Sequence, residues 1–121
     1  MRLRTDMFVS VLLRRSQAEG AFVTVVRRGA SEAGTLFIVV KGRHGVFDLY
    51  GPAPQTSFSS ARPAERLFSP VMRASGEADI WRRLDQETRF DPDLWIVEID
   101  DPDSRPIVDL APDSERLSPF T

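Results

Sequence analysis

The stretch that most constrains this chain is residues 20–51, GAFVTVVRRGASEAGTLFIVVKGRHGVFDLYG. Three apolar runs there are parted by glycine-bearing turns, the pattern of a three-stranded antiparallel meander. The runs cover about residues 22–28, 35–41 and 46–50. The middle run sets Leu36, Phe37, Ile38, Val39 and Val40 in succession. A strand apolar on both faces belongs at the centre of a sheet. In the third run Phe47 and Leu49 alternate with Val46, Asp48 and Tyr50, as in a half-exposed strand.

Helical spacing brackets this region. Residues 6–18 read as an amphipathic helix with Thr5 or Asp6 as its cap and Gly20 at its end. Phe8, Val11, Leu12 and Arg15 share one face, widened by Val9 and Leu13. A second helix over residues 77–89 turns Ile80, Trp81, Leu84 and Thr88 inward. Pro52 and Pro54 end the meander, and residues 55–62 form a polar loop. Residues 65–72 fit a short strand or a helical turn, and Pro70 favours an edge strand. After a turn at residues 91–93, residues 94–100 form a strong strand and residues 106–110 a weak one. The expected fold is a single α+β domain over residues 1–110, with a frayed tail at 111–121. Its sheet is mostly antiparallel, a three-stranded meander plus later strands, with two helices on one face.

A chain of 121 residues has the length of one domain. It contains no cysteine, which removes disulfides, thiolate metal sites and thiol catalysis and fits a reducing cytoplasm. The apolar stretch at residues 7–13 is short, ends in Arg14–Arg15 and lacks a small-residue cleavage site, which argues against export. No stretch reaches the ~20 apolar residues that span a bilayer.

Charge is unevenly spread. Residues 1–50 hold eight basic and four acidic side chains, while residues 91–121 hold two and nine, a local charge of −7. The simpler meaning is an acidic segment lying against the basic half; the alternative is two working surfaces of opposite sign. Arginine supplies fifteen of the sixteen cations, a preference that suits phosphate or carboxylate. The low pI of 5.4 and the lack of a basic patch interleaved with aromatics argue against nucleic acid.

Little in the chain signals chemistry. His44, between Gly42–Arg43 and Gly45, has no nearby ligand set and reads as a turn residue. Glu98, Asp100, Asp101 and Asp103 tempt a hard-cation assignment but lack calcium-loop spacing. Asp91 and Asp93 flank Pro92 and suit capping and turning more than acid–base work. Ser57, Ser59 and Ser60 lie outside any nucleophile-elbow pattern. The remaining candidate joins Arg27 and Arg28, at the end of the first strand, with Tyr50 and Gln55 at the end of the third. First and third strands of a meander run the same way, so these side chains meet at one edge as a shallow anion or peptide site.

RLRTDMFVSVLLRR, FVTVVRRG, LYGPAPQ and FDPDLWIVEIDD together resemble a family of small alphaproteobacterial proteins, the domain of unknown function 1491. The resemblance covers nearly the whole chain and implies a small cytosolic domain with no assigned activity or catalytic residues. The expected function is therefore a non-enzymatic binding or protein-interaction module, without cofactor, metal or membrane, that takes another protein or a small anionic ligand. The alternative is an acid–base or metal-assisted enzyme built on Asp91, Asp93 and His44.

Overall fold

The structure, a computed structural model, describes residues 3–54 and 66–112. Its elements are α1 (Thr5–Ala18), β1 (Phe22–Arg27), β2 (Leu36–Lys41), β3 (Phe47–Pro52), β4 (Phe68–Ser75), α2 (Glu77–Phe90) and β5 (Trp95–Asp100). A 3-10 turn at Arg43–Gly45 joins β2 to β3. The five strands form one sheet in the order β1–β5–β2–β3–β4. All pairings are antiparallel except β2 with β5. The chain is thus α+β with a mostly antiparallel sheet.

The expected meander loses its first pairing. β5 inserts between β1 and β2, running parallel to β2 with Leu36 opposite Trp95 and Lys41 opposite Asp100. Two features explain the insertion. β5 carries Trp95, Ile96, Val97 and Ile99, all buried, so it needs neighbours on both sides. The link between β1 and β2, residues 28–35, is too long for a tight hairpin and leaves the width of a strand open. β2–β3–β4 is the meander actually formed.

Strand alternation then settles the layers. Leu36, Ile38, Val40, Trp95, Val97 and Ile99 face one side, where Val9 and Leu12 of α1 cover them together with Ile107 and Val108. Phe37, Val39, Phe47, Leu49 and Ile96 face the other, under Ile80 and Leu84 of α2. The helices therefore lie on opposite faces of the sheet, not on one. A single helical layer would leave half of β2 and β5 in water.

Other expectations shift for local reasons. β3 is buried from Phe47 to Gly51 instead of half-exposed, because both faces are covered. Within it the Asp48 carboxylate accepts from Ala74 N at 2.7 Å and lies 3.5 Å from Arg73. Pairing also continues to Pro52, which sits opposite Phe68. β4 is the edge strand that Pro70 indicated. Of the weak strand at residues 106–110, only a parallel bridge between Phe68 and Leu110 forms.

α1 buries Thr5, Val9, Leu12 and Ser16, a face rotated from the expected one, and leaves Val11 exposed. No side chain caps it; Thr5 N and Asp6 N instead donate to Glu32 O and Ser31 O. Gly20, at φ 83°, ends it as expected. The polar loop at residues 55–62 lies outside the described residues, as does the tail from residue 113. Among the described residues no helix is long and apolar enough to cross a membrane.

Candidate ligand cleft

The strand directions gather the C-terminal ends of β1 and β3 with the N-terminal ends of β2, β4 and β5 at one end of the sheet. The start of α1 rests on that same end. Thr5, fully buried, donates its hydroxyl to Gly34 O at 2.8 Å. Arg66, just before β4, donates to Leu3 O and Thr5 Oγ1, each at 2.9 Å, with its guanidinium 5.5 Å from the Phe8 ring centre. One arginine thereby fastens the first turn of α1 to the start of β4.

Between these parts opens a cleft of about 510 Å³. Leu3, Leu36, Leu67 and Phe68 give it apolar lining, and Arg4 and Arg66 stand at its wall. Arg4 is half-exposed, hydrogen-bonds Asp6 at 3.2 Å through both Nε and Nη2, and lies 3.6 Å from Glu32. The Arg4 guanidinium holds the Asp6 carboxyl below its usual range, aided by the Met7 N–H. Arg28 adds to the positive field at Asp6. Glu32 also lines the cleft, so its wall carries two guanidiniums against one carboxylate, and an apolar interior with that net positive wall suits an amphiphilic anion.

The residues singled out from the sequence share this end of the sheet but do not converge. With β5 and β2 between them, β1 and β3 stand three strand spacings apart, about 14 Å. Arg27 lies opposite Ile96 on the α2 side and donates to Pro92 O at 2.7 Å. Arg28 turns to the α1 side, its guanidinium 4.9 Å from the Trp95 ring centre. Tyr50 is buried in the α1-side core, and Gln55 lies outside the described residues, as do Ser57, Ser59 and Ser60.

The catalytic alternative is not assembled either. Asp91 and Asp93 precede β5, whereas His44 follows β2, and these strands are parallel. The length of β2, about 20 Å, therefore separates them. Asp91 accepts from Asp93 N at 3.0 Å, a turn role. In the acidic run Asp101 accepts Arg105 through both oxygens at 2.9 Å, and Asp103 lies 3.5 Å from Arg43. Among the described residues no three His, Asp or Glu side chains gather as a metal site would require.

The profile described as "Protein of unknown function (DUF1491)" matches residues 3–109. The chain belongs to this family. The solution structure of a protein from A. tumefaciens is 41% identical over 92% of this chain and 96% of its own, with a TM-score of 0.79. A crystal structure of a DUF1491 protein from Caulobacter crescentus is 33% identical over 93% of this chain and 100% of its own, at a TM-score of 0.75. An NMR structure of a DUF1491 protein from that organism gives 32% identity and a TM-score of 0.76. No curated protein matches the chain. The family thus brings a fold and no assigned activity.

Neither Arg4 nor Arg66 carries a local signal in this DUF1491 chain: Arg4 stands where a helix start is expected, and Arg66 in a segment that fits a short strand or a helical turn. Nothing local ties them together; their meeting needs β4 beside β3 and α1 across the sheet end.

Proposed function

We propose that this protein is a non-enzymatic binding module whose cleft at the sheet end receives an amphiphilic anion, either a small carboxylate or the carboxylate end of a peptide. The observation that carries the reading is the pairing of apolar lining with the Arg4 and Arg66 guanidiniums in one cleft of about 510 Å³. That volume falls within the roughly 300–1,000 Å³ of small-molecule sites. Arg4 supplies the accessible cation, Arg66 the anchored one, and Arg28 strengthens the field at the flank. Arg27 and Tyr50 act here as supports for the sheet end. The reading includes no catalytic step.

Benzoate and benzamide test it as probes, since they differ in charge and hardly in shape. Titrated into isotope-labelled protein, benzoate should shift the amide signals of Gly34, Leu36 and Leu67 saturably at millimolar concentration, and benzamide should not. Arg4→Ala should weaken benzoate binding about tenfold at unchanged melting temperature, the loss of one charge-assisted contact of ~1.4 kcal/mol. Equal shifts from both probes, or benzoate binding untouched by Arg4→Ala, would overturn the proposal.

A further inference from the structure

The two edges of the sheet are treated differently. β4 contains Pro70, breaks register twice against β3, and is bracketed at Phe68 by hydrogen bonds to Asp109 O and from Ala111 N. These are the usual protections of a sheet edge. β1 has no proline and no charge before Arg27, and its register against β5 is regular from Phe22 to Val25. No described strand pairs its outer side. The face of β1 on the α2 side is also open, because α2 packs chiefly on β3 and β4 and reaches no farther across the core than Ile96 of β5. Phe22 is 78% exposed, Val26 46%, and Thr24 between them is exposed too. An open, apolar, β-branched edge strand is a template for another strand.

We propose that β1 pairs antiparallel with β1 of a second copy of this chain, doubling the five-stranded sheet about a two-fold axis at Thr24. The strand is self-complementary in that arrangement. Phe22 falls opposite Val26 of the second copy, and Val23 opposite Val25, each pairing occurring twice. Charge agrees. The start of β1 is flanked by Glu19 and by Asp100, which sits opposite Phe22 on β5, and its end carries Arg27 and Arg28. Antiparallel pairing sets each acidic flank beside the other copy's arginines, whereas parallel pairing would oppose like charges. The stacked Phe22–Val26 pairs also cover part of the face that α2 leaves open. Arg28 flanks both this edge and the cleft, but Phe22 and Val26 line no part of the cleft, so their substitution tests the inference independently of the ligand proposal.

Sedimentation velocity of the full chain, from micromolar to millimolar concentration, tests it. The expected result is a reversible monomer–dimer equilibrium, weak because a short strand pair adds a modest interface. Phe22→Lys and Val26→Lys should each shift the chain to monomer with unchanged melting temperature, since both sites are exposed. Phe90→Lys, on a residue 90% exposed at the end of α2, serves as the control and should leave association intact. A wild-type monomer at every concentration would overturn the inference and leave the edge to a strand from another protein. Association lost in Phe90→Lys but retained in Phe22→Lys would overturn it as well.

Discussion

Gly29 and Gly34 show how single residues shape the proposed ligand end. The link between β1 and β2 lies flat on the chain entering β5, with Ala30 N donating to Asp93 O and Trp95 Nε1 to Ala30 O, each at 2.8 Å. A β-carbon on Gly29 would collide with Asp93 O and stand 2.6 Å from Leu94 C. On Gly34 it would lie 2.7 Å from both Ala30 O and Asp93 O. These are backbone atoms and cannot rotate aside, so glycine is required for space. Gly29→Ala should therefore destabilise the protein by at least about 1–3 kcal/mol. A urea titration checks this; a change within the ordinary surface range of about 0.5 kcal/mol would refute the close packing. The sequence marks both glycines as turn residues, but the need for space appears only once β5 lies beside the link.

At the scale of elements, β2 follows its sequence most closely. Its unbroken apolar run predicts a central strand, and Ile38, Val39 and Val40 have no exposed surface. Ile38→Ala should cost on the order of 2–5 kcal/mol in a denaturant titration, the range for a buried aliphatic truncated to alanine. A loss under ~1 kcal/mol would mean the cavity closes or the strand is not central. α1 was less legible. Apolar residues at positions 8, 9, 11, 12 and 13 surround more than half of the helix, so spacing alone leaves its inner face undecided. The sheet chose the face with Thr5 and Ser16, whose small side chains let the helix approach closely.

Across the whole molecule, an ionic clasp joins the exit of β5 to the end of α1. Asp101, 2% exposed, accepts from Arg105 N as well as from its guanidinium, which also lies 3.1 Å from Glu19 Oε1 and donates to Glu19 O. The Arg105 hydrogen bonds hold the Asp101 carboxyl below its usual range against the opposing push of burial. A carboxylate with a depressed folded-state pKa stabilises the fold fully above its ordinary pKa, and that stabilisation fades as pH falls through the folded value. Asp101→Asn should therefore melt below wild type at neutral pH, with the gap narrowing in acid as the wild-type carboxyl protonates. Melts that differ equally at pH 7 and about pH 3 would show that the charge of Asp101 is not what stabilises this junction. Apart from the clasp, Asp103 lies 3.5 Å from Arg43, one exposed contact between the acidic segment and the basic half.

What the sequence determined by itself is local: the two helices, the strands, the central character of residues 36–40 and the edge character imposed by Pro70. Each follows from periodicity, glycine or proline, which act over a few residues. Tertiary structure alone decided that β5 separates β1 from β2, that the helices take opposite faces, and that Arg4 and Arg66 share a cleft. Those outcomes depend on burying both faces of two apolar strands at once, a requirement that falls on the assembled sheet and on no single segment.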